Sequence, residues 1–160
     1  MSILVGDKIP SVTLSQMSPD GPTTISTDKL FMGKKVVLFA VPGAFTPVCS
    51  AQHLPGFVQH ADSIKAKGVD TIACVAVNDV FVIDAWGQAQ NVGDKVLMLA
   101  DGDGEFTKAI GQVFDLQGKG FGLRSQRYAM IVEDGVVKSL EVEEPGKFEV
   151  SKAQKVLEKL

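Results

Sequence analysis

A chain of 160 residues, 45% hydrophobic and 22% charged, has the size and make-up of one folded domain, expected over 1–160, and is neither disordered nor fibrous. Its net charge of −3 offers no basic surface to nucleic acid, and no apolar run is long enough to span a bilayer. Two cysteines cannot build a disulfide framework, so a reducing compartment is expected.

The first residues turn polar at Asp7-Lys8 before the apolar core of an export signal forms, and the expected address is cytoplasmic. Ser11–Leu14 and Thr23–Ser26 are short alternating pieces around Pro19-Asp20-Gly21, which predicts a hairpin or a meandering edge. Val36–Val41 is continuously apolar, the pattern of a strand covered on both faces. The stretch Pro42-Gly43-Ala44-Phe45-Thr46-Pro47-Val48-Cys49 follows, then a helix whose apolar face is Leu54, Phe57, Val58, Ala61 and Ile64. Pro55-Gly56 predicts a kink near 51–55, and Gly68 a stop.

Thr71–Val77 reads as a second central strand. Asn78-Asp79 caps a helix to about Gln90, with Phe81, Val82, Ala85, Trp86 and Ala89 as the expected packing stripe. Lys95–Ala100 is a third strand, Glu105 to Ile110 a short helix, and Phe114–Gly122 a glycine-rich irregular excursion. Arg127–Glu133 and Val136–Val142 flank an Asp134-Gly135 turn as a hairpin, and 151–160 closes the chain as a helix with Val156, Leu157 and Leu160 inward. The order β-α-β-α-β-α-β-β-α predicts an α/β, thioredoxin-like three-layer sandwich with a mixed central sheet and an N-terminal β extension.

Cys49 stands at the start of a helix, where free N–H groups and the positive end of the dipole favour a thiolate, so the loop is expected to present one activated sulfur. Thr46 can accept from backbone N–H groups or donate its hydroxyl, and Pro42 and Pro47 restrict the backbone. Cys74 lies inside an apolar strand and reads as an inert core thiol. Cys49-Ser50-Ala51-Gln52 lacks the second sulfur of a dithiol redox motif, which weakens a thiol–disulfide oxidoreductase reading. His53 could make a Cys/His pair with Cys49, but no second pair completes tetrahedral zinc, so no metal is expected; it orients backbone or water near the thiol, or is a surface imidazole. Arg124 and Arg127 are the chain's two arginines, and a guanidinium near Cys49 would favour its anion and hold an oxygen ligand in fixed geometry. Asp101–Glu105 lacks the full ligand spacing of a calcium loop and reads as a capped turn.

Pro42, Thr46 and Cys49 match the signature of the peroxiredoxins, and the chain resembles that family over about 5–160. His53-Leu54-Pro55-Gly56-Phe57, Val77-Asn78-Asp79, Ala85-Trp86 and Arg127-Tyr128-Ala129-Met130 resemble its type II subclass. The resemblance implies a thiol peroxidase acting on hydrogen peroxide and alkyl hydroperoxides through a sulfenic acid at Cys49. Thr46, Val48 and Arg127 would bind the peroxide with Cys49, Pro42 would shield the sulfur, and His53 and Arg124 would support them. It also implies no cofactor, recycling by glutathione with glutaredoxin or by thioredoxin, and a homodimer to which Trp86 and Phe81 contribute. The region 148–151 carries no late resolving cysteine, so one-cysteine behaviour is expected. The competing reading is a redox sensor whose oxidation signals to a partner.

Overall fold

The computed structural model describes residues 2–160. Nine strands and six α-helices run in the order β1 (Thr13–Ser18), β2 (Gly21–Ser26), α1 (Thr27–Phe31), β3 (Lys35–Ala40), α2 (Leu54–Gln59), α3 (Ala61–Lys65), β4 (Thr71–Ala76), α4 (Val80–Ala89), β5 (Leu97–Ala100), α5 (Glu105–Ala109), β6 (Val113–Leu116), β7 (Gly122–Ser125), β8 (Tyr128–Glu133), β9 (Val136–Val142) and α6 (Ala153–Glu158). A π-helical turn, Cys49–His53, leads into α2.

Seven strands form one mixed sheet in the order β2-β1-β5-β4-β3-β8-β9. β3, β4 and β5 are parallel, while β8 joins β3 antiparallel, with Ala40 opposite Tyr128. Alternation along β3 explains its unbroken hydrophobicity. Val37, Phe39 and Val41 enter a core with Phe57, Ile64, Ile83, Trp86 and Val156 from α2, α3, α4 and α6. Val36, Leu38 and Ala40 enter the opposite core with Leu30, Phe31 and Phe106 from α1 and α5. The result is the expected three-layer α/β sandwich, with the β1–β2 hairpin as the N-terminal extension.

Three local readings change. The excursion at 114–122 belongs to a separate hairpin, β6–β7, paired from Val113–Ser125 to Leu116–Gly122. Its four-residue strands are too short to show alternation, and Gly118, Gly120 and Gly122 take the positive φ that its turn demands. Of the expected packing stripe of α4, Trp86 is buried and Val82 half-buried, but Phe81, Ala85 and Ala89 face outward, and Ile83 and Gly87 complete the buried face. Close approach decides that face, because a Cβ at Gly87 would lie 2.8 Å from Met98 Cγ on β5. The expected kink is a π turn at 49–53. Leu54 N–H bonds to the Cys49 carbonyl five residues back, just before Pro55, which has no N–H to give.

The Phe39 and Phe57 rings stack at 4.0 Å between the sheet and α2. Phe57→Ala should therefore cost about 3–5 kcal/mol in urea unfolding. A loss no greater than about 1 kcal/mol, typical of any point substitution, would show that the α2 face is not a packed part of the core.

Candidate active site

The chain leaves β3 and turns sharply. Ala44 N–H donates to Asn78 Oδ1 at 2.9 Å, tying the loop to the residue before the cap of α4. Phe45 takes a left-handed backbone (φ 65°), a conformation that costs a non-glycine residue about 1–3 kcal/mol. The reversal brings the Thr46 hydroxyl onto the Gly43 carbonyl at 2.7 Å. Pro47 then opens the helix, a position where its missing N–H costs no bond. Ser50 N–H closes the first turn on the Thr46 carbonyl at 2.9 Å, and Cys49 lies within that turn. Trp86 Nε1 donates to Ser50 Oγ at 2.9 Å and pins the turn to α4.

Arg127, one residue before β8, reaches across from the sheet. Its Nη2 donates to Cys49 Sγ at 3.1 Å, and its Nη1 lies 2.9 Å from His53 Nδ1. A guanidinium has no lone pair, so Nδ1 must accept. The imidazole proton therefore sits on Nε2, which donates to the Ser151 carbonyl at 3.1 Å. Burial, then the neighbouring Arg127 charge, lowers the His53 pKa from its usual 6.5 to about 3, so the ring is neutral at physiological pH. His53 is thus no surface imidazole: it has no exposed area and packs among the rings of Phe39, Phe57 and Phe148. Phe148 also lies 5.8 Å from the Arg127 guanidinium carbon.

A pocket of about 210 Å³ opens beside these groups, lined by Pro42, Val48, Phe114, Gln126, Arg127 and the turn at 143–147. A larger cavity of about 520 Å³ lies away from the thiol, between α4 and β5. Pro42, Thr46, Val48, Cys49, His53 and Arg127 are therefore assembled as a group. The sulfur is not presented at the surface, however: Cys49 has no exposed area and is not among the residues lining the pocket. The Thr46 hydroxyl is turned to Gly43 rather than bonded to the sulfur.

Arg124 lies against the loop at Gly43 but turns its donors to backbone carbonyls and not to the sulfur. Its Nε donates to the Phe121 carbonyl at 2.9 Å and its Nη1 to the Val77 carbonyl at 3.1 Å, so it braces β7 against the end of β4. Cys74 is buried in β4, and burial pushes its thiol pKa well up, with the Cys49 charge adding to the effect. Sequence reasoning missed Asn78 as a loop anchor, Phe148, and a buried pair, Glu143 and Ser151. Only Asn78 carried a signal, as a residue at a strand–helix junction.

A family model described as Redoxin matches residues 4–157. The chain is 50% identical over 163 residues to Peroxiredoxin-2E, chloroplastic, of Arabidopsis thaliana, covering 99% of this chain and 70% of that protein. It is 46% identical over 159 residues to Peroxiredoxin-2B of the same plant, covering 99% and 98%. Among solved structures, reduced Prx3 of Vibrio vulnificus in complex with H2O2 matches with a TM-score of 0.95 at 57% identity, covering 98% of each chain.

The neutral His53 makes a stability prediction. Because its folded pKa is the lower one, the unfolded state binds more protons as pH falls below about 6.5, and acid removes stability. Between about pH 6.5 and 4.5, the stability advantage of the native protein over His53→Gln should shrink by up to about 1.4 kcal/mol per pH unit. Urea unfolding at several pH values measures this, and a pH-independent difference would mean that His53 titrates normally in the fold.

Proposed function

The chain belongs to the type II peroxiredoxins, thiol peroxidases of the Redoxin family, and we propose that its peroxide chemistry runs at Cys49 in one domain spanning 1–160. The observation that carries this reading is the 3.1 Å bond from Arg127 to the Cys49 sulfur beside a pocket of about 210 Å³. Water occupies about 30 Å³ per molecule in the liquid, so this space suits hydrogen peroxide or a small alkyl hydroperoxide.

The Cys49 thiolate attacks the nearer peroxide oxygen, forming an S–O bond as the O–O bond breaks. Cys49 becomes a sulfenic acid, and the distal oxygen leaves as hydroxide or alkoxide and takes a proton to become water or an alcohol. Arg127 holds the anionic sulfur before attack and offers its remaining N–H groups to the oxygens as charge develops on them. Thr46 gives its hydroxyl proton to Gly43, which leaves its oxygen lone pairs to accept from the peroxide O–H. Pro42 and Val48 line the approach and thin the water around the sulfur.

An external thiol then condenses with the sulfenic acid, giving a mixed disulfide and water. A second thiol releases reduced Cys49 and leaves as a disulfide. We read the source as glutathione with glutaredoxin, or thioredoxin. Cys74 lies within β4, where burial holds its thiol toward the neutral form, and we leave it out of this cycle. Because Cys49 is also buried, a protein reductant requires its first turn to open. Two free thiols fit a reducing compartment, and we place the chain in the cytoplasm. Phe45, Phe81 and Phe121 leave more than half of their surface exposed and support a homodimer face, from which buried Trp86 is removed.

Cys49→Ser should abolish peroxidase turnover and Cys74→Ser retain most of it in a glutaredoxin- or thioredoxin-coupled NADPH assay. Arg127→Gln should slow the reaction with peroxide about 10²-fold, the usual cost of losing one donor to a developing charge. A single stoichiometric oxidation without turnover under either reductant would favour the sensor reading. Intact mass of the oxidised protein identifies the recycling thiol, since a glutathione adduct and an internal Cys49–Cys74 disulfide differ in mass.

A further inference from the structure

We propose that Glu143 is a positioning residue for the peroxide reaction: its carboxylate locks the turn at 149–151, and through Ser151 and His53 it aims Arg127 at Cys49. The inference rests on the reading that Arg127 acts on the Cys49 sulfur.

One oxygen of Glu143, Oε2, accepts three hydrogen bonds: from Glu149 N–H at 2.7 Å, Ser151 N–H at 2.9 Å and Ser151 Oγ at 2.8 Å. Both Glu143 and Ser151 are buried, so the turn has little water with which to replace these bonds. Ser151 is held through its N–H and its hydroxyl, which leaves its carbonyl aimed in one direction. That carbonyl receives the His53 Nε2 proton. Fixing the proton on Nε2 leaves Nδ1 as an acceptor, and Nδ1 is the partner of Arg127 Nη1. The other guanidinium nitrogen, Nη2, then falls on the sulfur.

Two further contacts link the surroundings of Glu143 to the same arginine. Glu143 N–H donates to the Arg127 carbonyl at 2.9 Å, so the two residues share a backbone bond beside the pocket that both line. Phe148 immediately precedes the locked turn. Its ring meets His53 edge-on at 5.0 Å and lies near the guanidinium. Releasing the turn would free the ring, the imidazole proton and the guanidinium together.

A carboxylate that merely stiffened the turn would lower stability but would not act through Arg127. A double-mutant cycle separates the two, because residues in one network are non-additive and independent ones are additive. The readout is the rate of Cys49 oxidation by hydrogen peroxide, followed by the fluorescence of Trp86, the single tryptophan, which is bonded to the residue after Cys49. Glu143→Gln should slow oxidation about 10-fold, as loss of an outer supporting partner does at other sites. In an Arg127→Gln background the same change should have no further effect.

A native rate in Glu143→Gln, or a double variant slower than Arg127→Gln by the full factor, overturns the proposal. A native rate in Arg127→Gln alone is a different result: it removes the arginine reading, and the Glu143 link with it. Should Glu143→Gln fail to fold, the same cycle with Ser151→Ala, which deletes one donor to the carboxylate, decides by the same criterion.

Discussion

The guanidinium of Arg127 is shared between two acceptors, a sulfur and a ring nitrogen, and most of the site follows from what that sharing demands. Arginine stays charged at any pH the protein meets and can only donate. Its partner nitrogen on His53 must therefore lack a proton, the opposite nitrogen must carry one, and that proton needs an acceptor in an otherwise dry place. The Ser151 carbonyl meets this need. Burial that would be costly for a charged imidazole is harmless for a neutral one, so Phe39, Phe57 and Phe148 can close around it.

The same demand accounts for the layout of the fold around the site. The cysteine comes from the helix after β3 and the arginine from the entry to β8, neighbours in the sheet although 78 residues apart in sequence. Antiparallel pairing sets Ala40 opposite Tyr128, so the exit of one strand lies beside the entry of the other. Rigid pairing on both sides makes that juxtaposition repeatable, which a contact between two loops would not be. The same juxtaposition sets a buried sulfur beside a small pocket.

Legibility tracked the range of the interactions involved. The central strands showed themselves because both faces of β3 and β4 are covered, and Cys49 because a helix start has local electrostatic consequences. Arg127 stood out as one of two arginines, yet nothing local separated it from Arg124, which turns to backbone carbonyls instead. The outward turn of Phe81 was hidden because α4 carries two overlapping apolar stripes, and steric contact at Gly87 with β5 selects between them. The β6–β7 hairpin was hidden by strands of four residues, too short for a period to declare itself.

By itself, the sequence determined the sandwich, its central strands, and the one sulfur placed at a helix start, because patterning, capping and turn chemistry act over a few residues. The tertiary structure alone decided that His53 is buried and neutral, that Arg124 turns to backbone carbonyls, and that Glu143 is the acceptor beneath Ser151. Those outcomes depend on which distant backbone atoms lie within about 3 Å of a donor, a matter settled by the packing of helices and loops on the sheet and by no pattern along the chain.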